Sequence, residues 1–426
     1  MIQAVQNFNQ LATSHARRDA LEIVEAAYAS IDTKTVLKQS VTVVDSIMTV
    51  MGERFDLNEY EHIYIVGFGK VSCRAAYVLE EMLQGKVKEG AVVGIKEITC
   101  QVVDTYAGTH PLPSRLNFTA TMHIEEIARK ARENDLVLVV VSGGGSALLC
   151  SSLEEAEQGQ RLYTAFLHSG GTIEELNVVR RHISKLKGGG LAKALYPATV
   201  VSLIFSDVPG GDMASIASGP TLQSGTTIKD AQMIIDKYDL GNYTLVETPD
   251  EEKYFQRVKN ILVASNLTAL KAMEHAAAER GYSASLVSAT VYATPEETKE
   301  LLMKHSTGQQ VLCFGGETKM VVPPHASGKG GRNTHLGLFM LDHLEEAQVF
   351  VSFASDGKDN TDAAGVIVDA QTKEKARKLW LDHKSYSENC DSYTFFKQTG
   401  DLLFTTPLES NVADLMLLLS PKRDGV

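Results

Sequence analysis

Charged and hydroxyl residues recur in this sequence where short apolar runs break into glycine. Lys70 closes Val-Gly-Phe-Gly-Lys, and 142–146 reads Ser-Gly-Gly-Gly-Ser. Asp207 and Asp212 flank Val-Pro-Gly-Gly, Glu317 follows Gly-Gly, and Asp356 precedes Gly-Lys. Glycine lets an anion approach backbone N–H groups, and a cation at a helix start adds positive potential. Ser142, Gly143, Gly144, Gly145 and Ser146 are therefore a candidate phosphate nest. A nucleophilic Ser146 is the alternative, although the run lacks G-x-S-x-G spacing. Lys70 sits in neither a P-loop nor a full dinucleotide fingerprint.

Arg180, Arg181, His182, Lys185 and Lys187 put five basic groups within eight positions, ahead of the glycine triplet 188–190. Arg180, Lys187 and Gly189 are candidate phosphate contacts, with a solvated basic helix face as the competing reading. Asp207 and Asp212 suit Mg2+, which takes a few carboxylates together with substrate phosphates. Either aspartate also suits a turn or helix cap. Arg332, in Gly-Lys-Gly-Gly-Arg-Asn, offers a planar fork matched to carboxylate or phosphate. Glu317, Asp356 and His110, the last in the proline-rich loop 108–113, complete the candidate substrate contacts.

A formal charge of -12 argues against non-specific nucleic-acid binding, which needs a basic footprint. The five cysteines are odd in number and form no CxxC, so neither a disulfide framework nor a thiolate zinc site is expected. No apolar run of about 18 residues appears, and a cytoplasmic location away from membranes is the expectation. A homo-oligomer stays open.

The positioning elements follow from the apolar patterning. LVLVVV, VVSLIF and VFVSFA are apolar on both side-chain parities, which suits strands of a parallel sheet covered on both faces. An α/β fold follows, with polar loops gathered beyond the strand carboxyl ends, where such sheets bind ligands. Strands are expected at 63–67, 91–95, 136–141, 200–205, 261–264, 311–314, 319–322 and 349–353. Helices are expected at 71–81, 118–132, 154–170, 173–187, 230–239, 268–280 and 334–346. Segment 391–397 is ambiguous, and 411–419 reads as a strand or helix on the core. The polar passage 240–252 sets a boundary between domains 1–240 and 241–426, with the tail packing back on the first.

Taken together, GFGK, THPLP, SGGGSALL, NVVRRHISKLKGGGLA, SDVPGGDMASIASGPT, GGET, GKGGRN, DGKDNTDAAG and NVADL resemble the glycerate 2-kinase family, also called MOFRL, in the family's order. Some of its members carry an old hydroxypyruvate-reductase label. The resemblance implies an N-terminal Rossmann-like α/β domain, a C-terminal α/β MOFRL domain and an active site in the cleft between them. It implies ATP- and Mg2+-dependent phosphorylation of the 2-hydroxyl of D-glycerate or a related small hydroxy acid. The family's functional lysine falls on Lys70 and its arginine on Arg332. Two loops depart from the family pattern: Gly210-Gly211-Asp212 replaces an acidic pair, and Thr405-Thr-Pro-Leu-Glu-Ser replaces a glycine-rich turn. An NAD(P)H-dependent hydroxypyruvate reductase and a non-catalytic nucleotide or sugar-acid sensor are the competing functions.

Overall fold

A computed structural model describes residues 3–167, 169–305 and 310–421. The chain divides into two units. One holds Thr33–Ser206 and Asp212–Val263; the other holds the chain up to Asp32, Asp207–Gly211 and the chain from Ala264 on.

The first unit carries a small antiparallel meander, β1 Val41–Val44, β2 Ile47–Val50 and β3 Glu53–Asp56, and a six-stranded sheet. The sheet's strands are β4 Ile63–Phe68, β5 Val87–Gly94, β6 Val103–Ala107, β7 Leu136–Ser142, β8 Thr199–Phe205 and β9 Val258–Ala264. Their order is β6-β5-β4-β7-β8-β9, and the pairs from β6 through β8 are parallel. Every residue of β4 and β7 is buried, as their unbroken apolar runs require. The order reverses between β4 and β7, so the loops leaving these two strands open at the switch point where such sheets hold ligands. Those loops carry Lys70 and residues 143–146.

The second unit contains β10 Ser283–Val291, β11 Gln310–Gly316, β12 Val349–Ala354, β13 Gly365–Val368, β14 Leu402–Leu403 and β15 Asp414–Ser420. The order is β10-β11-β15-β12-β13-β14. Here the parallel expectation for VFVSFA is corrected. β12 pairs antiparallel with both β13 and β15, and β11 is antiparallel to β15 as well. Both-face burial survives because helices cover both sides, whatever the strand direction. Val311, Cys313, Val351, Leu415 and Leu417 enter one core with helices His15–Ser30 and Asn266–Glu279. The alternate residues Leu312, Phe314, Phe350, Met416 and Leu418 enter the other with Leu336, Phe395 and Phe396. Truncating Leu312, Leu415, Met416, Leu417 or Leu418 to alanine costs about 2–5 kcal/mol.

Several sequence expectations are revised. The contacts divide the chain differently from a single boundary at 240. Helix His15–Ser30 belongs with the mixed sheet, its apolar stripe in that core and its fully buried Arg17 bonded to Asp369 and Asp401 at 2.7–2.8 Å. β9, expected to open the second domain, extends the first unit's sheet instead. The tail supplies β15, inside the second unit's own sheet. Residues 319–322 form no strand; Val321 is 90 % exposed, and β11 already has β10 and β15 as neighbours. The expected helix 173–187 ends at His182, and 334–346 is observed as Arg332–Met340. The ambiguous 391–397 lies in helix Ser392–Thr399.

Candidate active site

In the parallel-sheet unit the loops after β4 and β7 are stitched together. The Lys70 N–H donates to the Gly143 carbonyl at 2.9 Å, and the Val71 N–H donates to Ser142 Oγ at 3.3 Å. Gly144 takes the left-handed conformation, φ +79°. A Cβ there would lie 3.0 Å from His110 Cδ2, 3.2 Å from His110 Nε2 and 3.5 Å from Lys70 Cγ, so glycine permits the close approach of both side chains. The backbone N–H groups of Gly143, Gly144, Gly145 and Ser146 donate to no acceptor among the described residues. That leaves four donors in one turn beside a lysine and a histidine, the composition of an anion nest.

The local electrostatics match. Burial, then the charges of Lys70 and Arg180, hold the His110 pKa at about 4, although part of the residue reaches solvent. The imidazole is thus neutral at physiological pH. Burial lowers Arg180 to about 10, and this guanidinium has no ion-pair or hydrogen-bond partner among the described residues. Burial also lowers Arg181, opposed by Asp212; its Nε is buried without a partner, while NH2 donates to the Ala214 carbonyl at 2.9 Å. Desolvated cations of this kind favour a bound anion. Ser146 and Arg180 also line a small cavity with Tyr163, Pro111 and Pro113. Ser146 Oγ lies 3.0 Å from Ser218 Oγ, whose hydroxyl donates to Asn177 Oδ1 at 3.1 Å. Ser146 is thereby tied to serine and asparagine. Among the described residues no histidine hydrogen-bonds to it, so the nucleophile alternative gains no activating base there.

Three sequence candidates have structural tasks. Lys187 is buried in an ion pair with Glu155 and donates to the Leu149 carbonyl at 2.8 Å, which corrects its reading as a phosphate contact. The Gly189 N–H donates to the Gly219 carbonyl at 2.9 Å, and its neighbours Gly188 and Gly190 donate to Ser218 and Lys187 carbonyls, so this triplet has spent the donors a phosphate would need. The basic stretch is no single solvated helix face either, since His182 is buried against the Val246 carbonyl and Thr226. Asp212 caps a turn, accepting from the Ala214 N–H at 3.1 Å and Ser215 Oγ at 2.6 Å. Asp207 follows directly on the carboxyl end of β8 through Ser206.

The second unit presents its own cluster. Arg332 is the first residue of helix Arg332–Met340. Asp359 caps that helix, accepting from the Asn333 and Thr334 N–H groups at 3.0 and 2.8 Å. A Cβ on Gly331 would fall 2.2 Å from Asp359 Cγ, so glycine is needed for this cap to close. Arg332 NH1 donates to Glu317, and its Nε lies 3.4 Å from Asp414 Oδ2. Glu317 therefore anchors the arginine. Asp356 accepts from the Lys358 N–H at 3.1 Å within its turn. Asp414 and Asp359 were not singled out in the sequence. Signals for both were present, since Asp414 lies in NVADL and Asp359 in DGKDNTDAAG, and Asp414 opens the apolar run DLMLLLS.

The family described as a domain of unknown function (DUF4147) matches residues 19–248, and the MOFRL family matches 310–414. A D-glycerate 2-kinase of Thermotoga maritima is 35% identical over 84% of this chain and 90% of the relative. This chain belongs to the glycerate 2-kinase (MOFRL) family. A glycerate 2-kinase of Pyrococcus horikoshii is 32% identical over 96% of this chain and 98% of its own. The crystal structure of a Thermotoga maritima glycerate kinase superposes with a TM-score of 0.83 at 31% identity, covering 94% of this chain and 98% of that one. Among the described residues no helix is long and apolar enough to cross a membrane.

Proposed function

We propose that this protein transfers the terminal phosphoryl group of ATP to the 2-hydroxyl of D-glycerate or a closely related small hydroxy acid. The observation that carries the reading is the glycine turn 143–146, with four N–H donors beside Lys70, His110 and a partnerless, desolvated Arg180. Phosphoryl transfer asks for alignment and charge neutralisation more than for covalent help, and this cluster is built from fixed donors and cations. In this reading the turn and Arg180 hold phosphate oxygens, Lys70 neutralises the transferring group, and neutral His110 donates a hydrogen bond. Arg332, anchored by Glu317, clamps the acceptor carboxylate or the phosphoryl group, and Asp356 is the weaker candidate to orient the acceptor hydroxyl.

Mg2+ would supply further charge neutralisation on the ATP phosphates. Asp207 and Asp212 are the proposed ligands; each oxygen of Asp212 accepts a hydrogen bond within its own turn. The family membership and the two relatives named as glycerate 2-kinases support the hydroxy acid.

The test is a screen of ATP consumption against C3–C5 hydroxy acids, with phosphorus NMR of the product. The expected product is the 2-phosphate of D-glycerate or a near relative. A 3-phosphate would overturn the regiochemistry. No phosphorylated product, with NADH oxidised by hydroxypyruvate, would replace the kinase by the reductase; neither activity would leave the sensor.

A further inference from the structure

β15 runs antiparallel between β11 and β12, so its first residue lies at the edge where those two strands end. Asp414 is that residue, paired in register with Ala354 and only 6% exposed. Charge reaches it from every side. Arg332 comes from its helix start, Glu317 from beyond β11 and Asp359 from the loop after β12. Tyr28 comes from helix His15–Ser30. Glu317 takes Arg332 NH1 and Asp414 faces Nε at 3.4 Å, while NH2 has no partner among the described residues.

We propose that Asp414 is a positioning residue for Arg332: its ionised carboxylate fixes the Nε edge, so that the NH2 edge is held ready for an anionic ligand. Two anchors on adjacent edges stop the fork rotating, whereas Glu317 alone leaves it a pivot. Burial raises the Asp414 pKa to about 7; Arg332 and the Asn333 side chain oppose the rise, and Glu317 and Asp359 add to it. The Tyr28 phenol, pushed well above its ordinary value by burial and then by Asp356, Glu25 and Asp414, stays neutral in this range. The second anchor is therefore lost as pH falls through about 7.

The effect on stability has the opposite sign. A carboxyl whose pKa is raised by folding contributes stability below its unfolded pKa and loses it as pH rises through the folded value. Acid thus relaxes the buried charge while it releases Arg332. A merely structural Asp414 would not separate the two trends.

The inference rests on the kinase reading only for its kinetic arm. There, kcat/KM for the hydroxy acid is followed from about pH 5.5 to about pH 9 in the wild type and in Asp414→Asn. The variant is expected to lie about tenfold below wild type at the alkaline end, to meet it at the acid end and to lose the limb near neutrality. A wild-type pH profile retained in Asp414→Asn would overturn the proposal. The second arm needs no turnover. The Arg332 Nε resonance, assigned by its absence in Arg332→Lys, should shift with a midpoint near 7 in the wild type and stay flat in Asp414→Asn. A flat resonance in the wild type would overturn the positioning role whatever the kinetics. An inactive wild type with a titrating resonance would instead sink the kinase reading alone.

Discussion

Gly144 is where backbone conformation and candidate chemistry meet, and Gly144→Ala separates them. Its φ of +79° is matched at Gly85, φ +80°, where a Cβ would meet nothing within 4 Å. Placing alanine in the left-handed region costs roughly 1–2 kcal/mol at either site. Both variants should therefore lose similar stability in urea denaturation. They should differ in function. At Gly144 the new Cβ would sit 3.0 Å from His110 Cδ2, so the imidazole must retreat by a few tenths of an ångström; Lys70 Cγ at 3.5 Å is in ordinary contact. A 1 Å misplacement of a positioned group is worth on the order of 10²-fold, so a retreat of about a third of that is worth about fivefold. The expected result is a fall of about fivefold in kcat/KM for ATP in Gly144→Ala and wild-type kinetics in Gly85→Ala. Equal kinetics in the two variants, at equal stability, would refute the assignment of this turn to the phosphate.

Two further outcomes follow from the same geometry. The His110 pKa, about 4 in the folded protein, lies below the value of about 6.5 of the unfolded chain, so its contribution to stability grows as pH rises through that window. In histidine NMR titrations, Lys70→Met and added inorganic phosphate should each move that pKa upward; no movement with phosphate would remove His110 from the anion site. Lys187→Met should strand the buried Glu155 and cost about 3–5 kcal/mol in urea denaturation, with the double variant Glu155→Gln/Lys187→Met less damaged. A large rise in the KM for ATP with stability intact would restore Lys187 to the binding site.

The parallel sheet was legible because its strands carry unbroken apolar runs and its loops carry glycine next to Lys70 and Ser142. The mixed sheet was less so. β10 is only partly buried and rich in serine and alanine, and β13 and β14 are four and two residues long, so none carries a strong pattern. Nor does amphipathicity state which sheet a helix covers, and so the segment up to Asp32 was assigned to the wrong partner. In the site, Lys70, His110, residues 142–146 and Arg180 were readable as types in glycine-rich loops. The tasks of Lys187, Gly189 and Asp212 were not, because each depends on a partner far along the chain or on a turn geometry that composition does not encode. Asp414 was hidden for the same reason. Its importance comes from an antiparallel strand delivering its first residue to the ends of its neighbours.

The central place of β15 also bears on how the protein is made. Residues 414–420 supply the hydrogen-bonding partner of both β11 and β12, so a nascent chain that has synthesised everything before them holds two strand edges with nothing between. The parallel sheet, complete by Ala264, has no such dependence. Nascent chains should thus become protease-resistant in two stages, with the mixed sheet and the setting of Arg332 arriving only once residues 414–420 are free to pair.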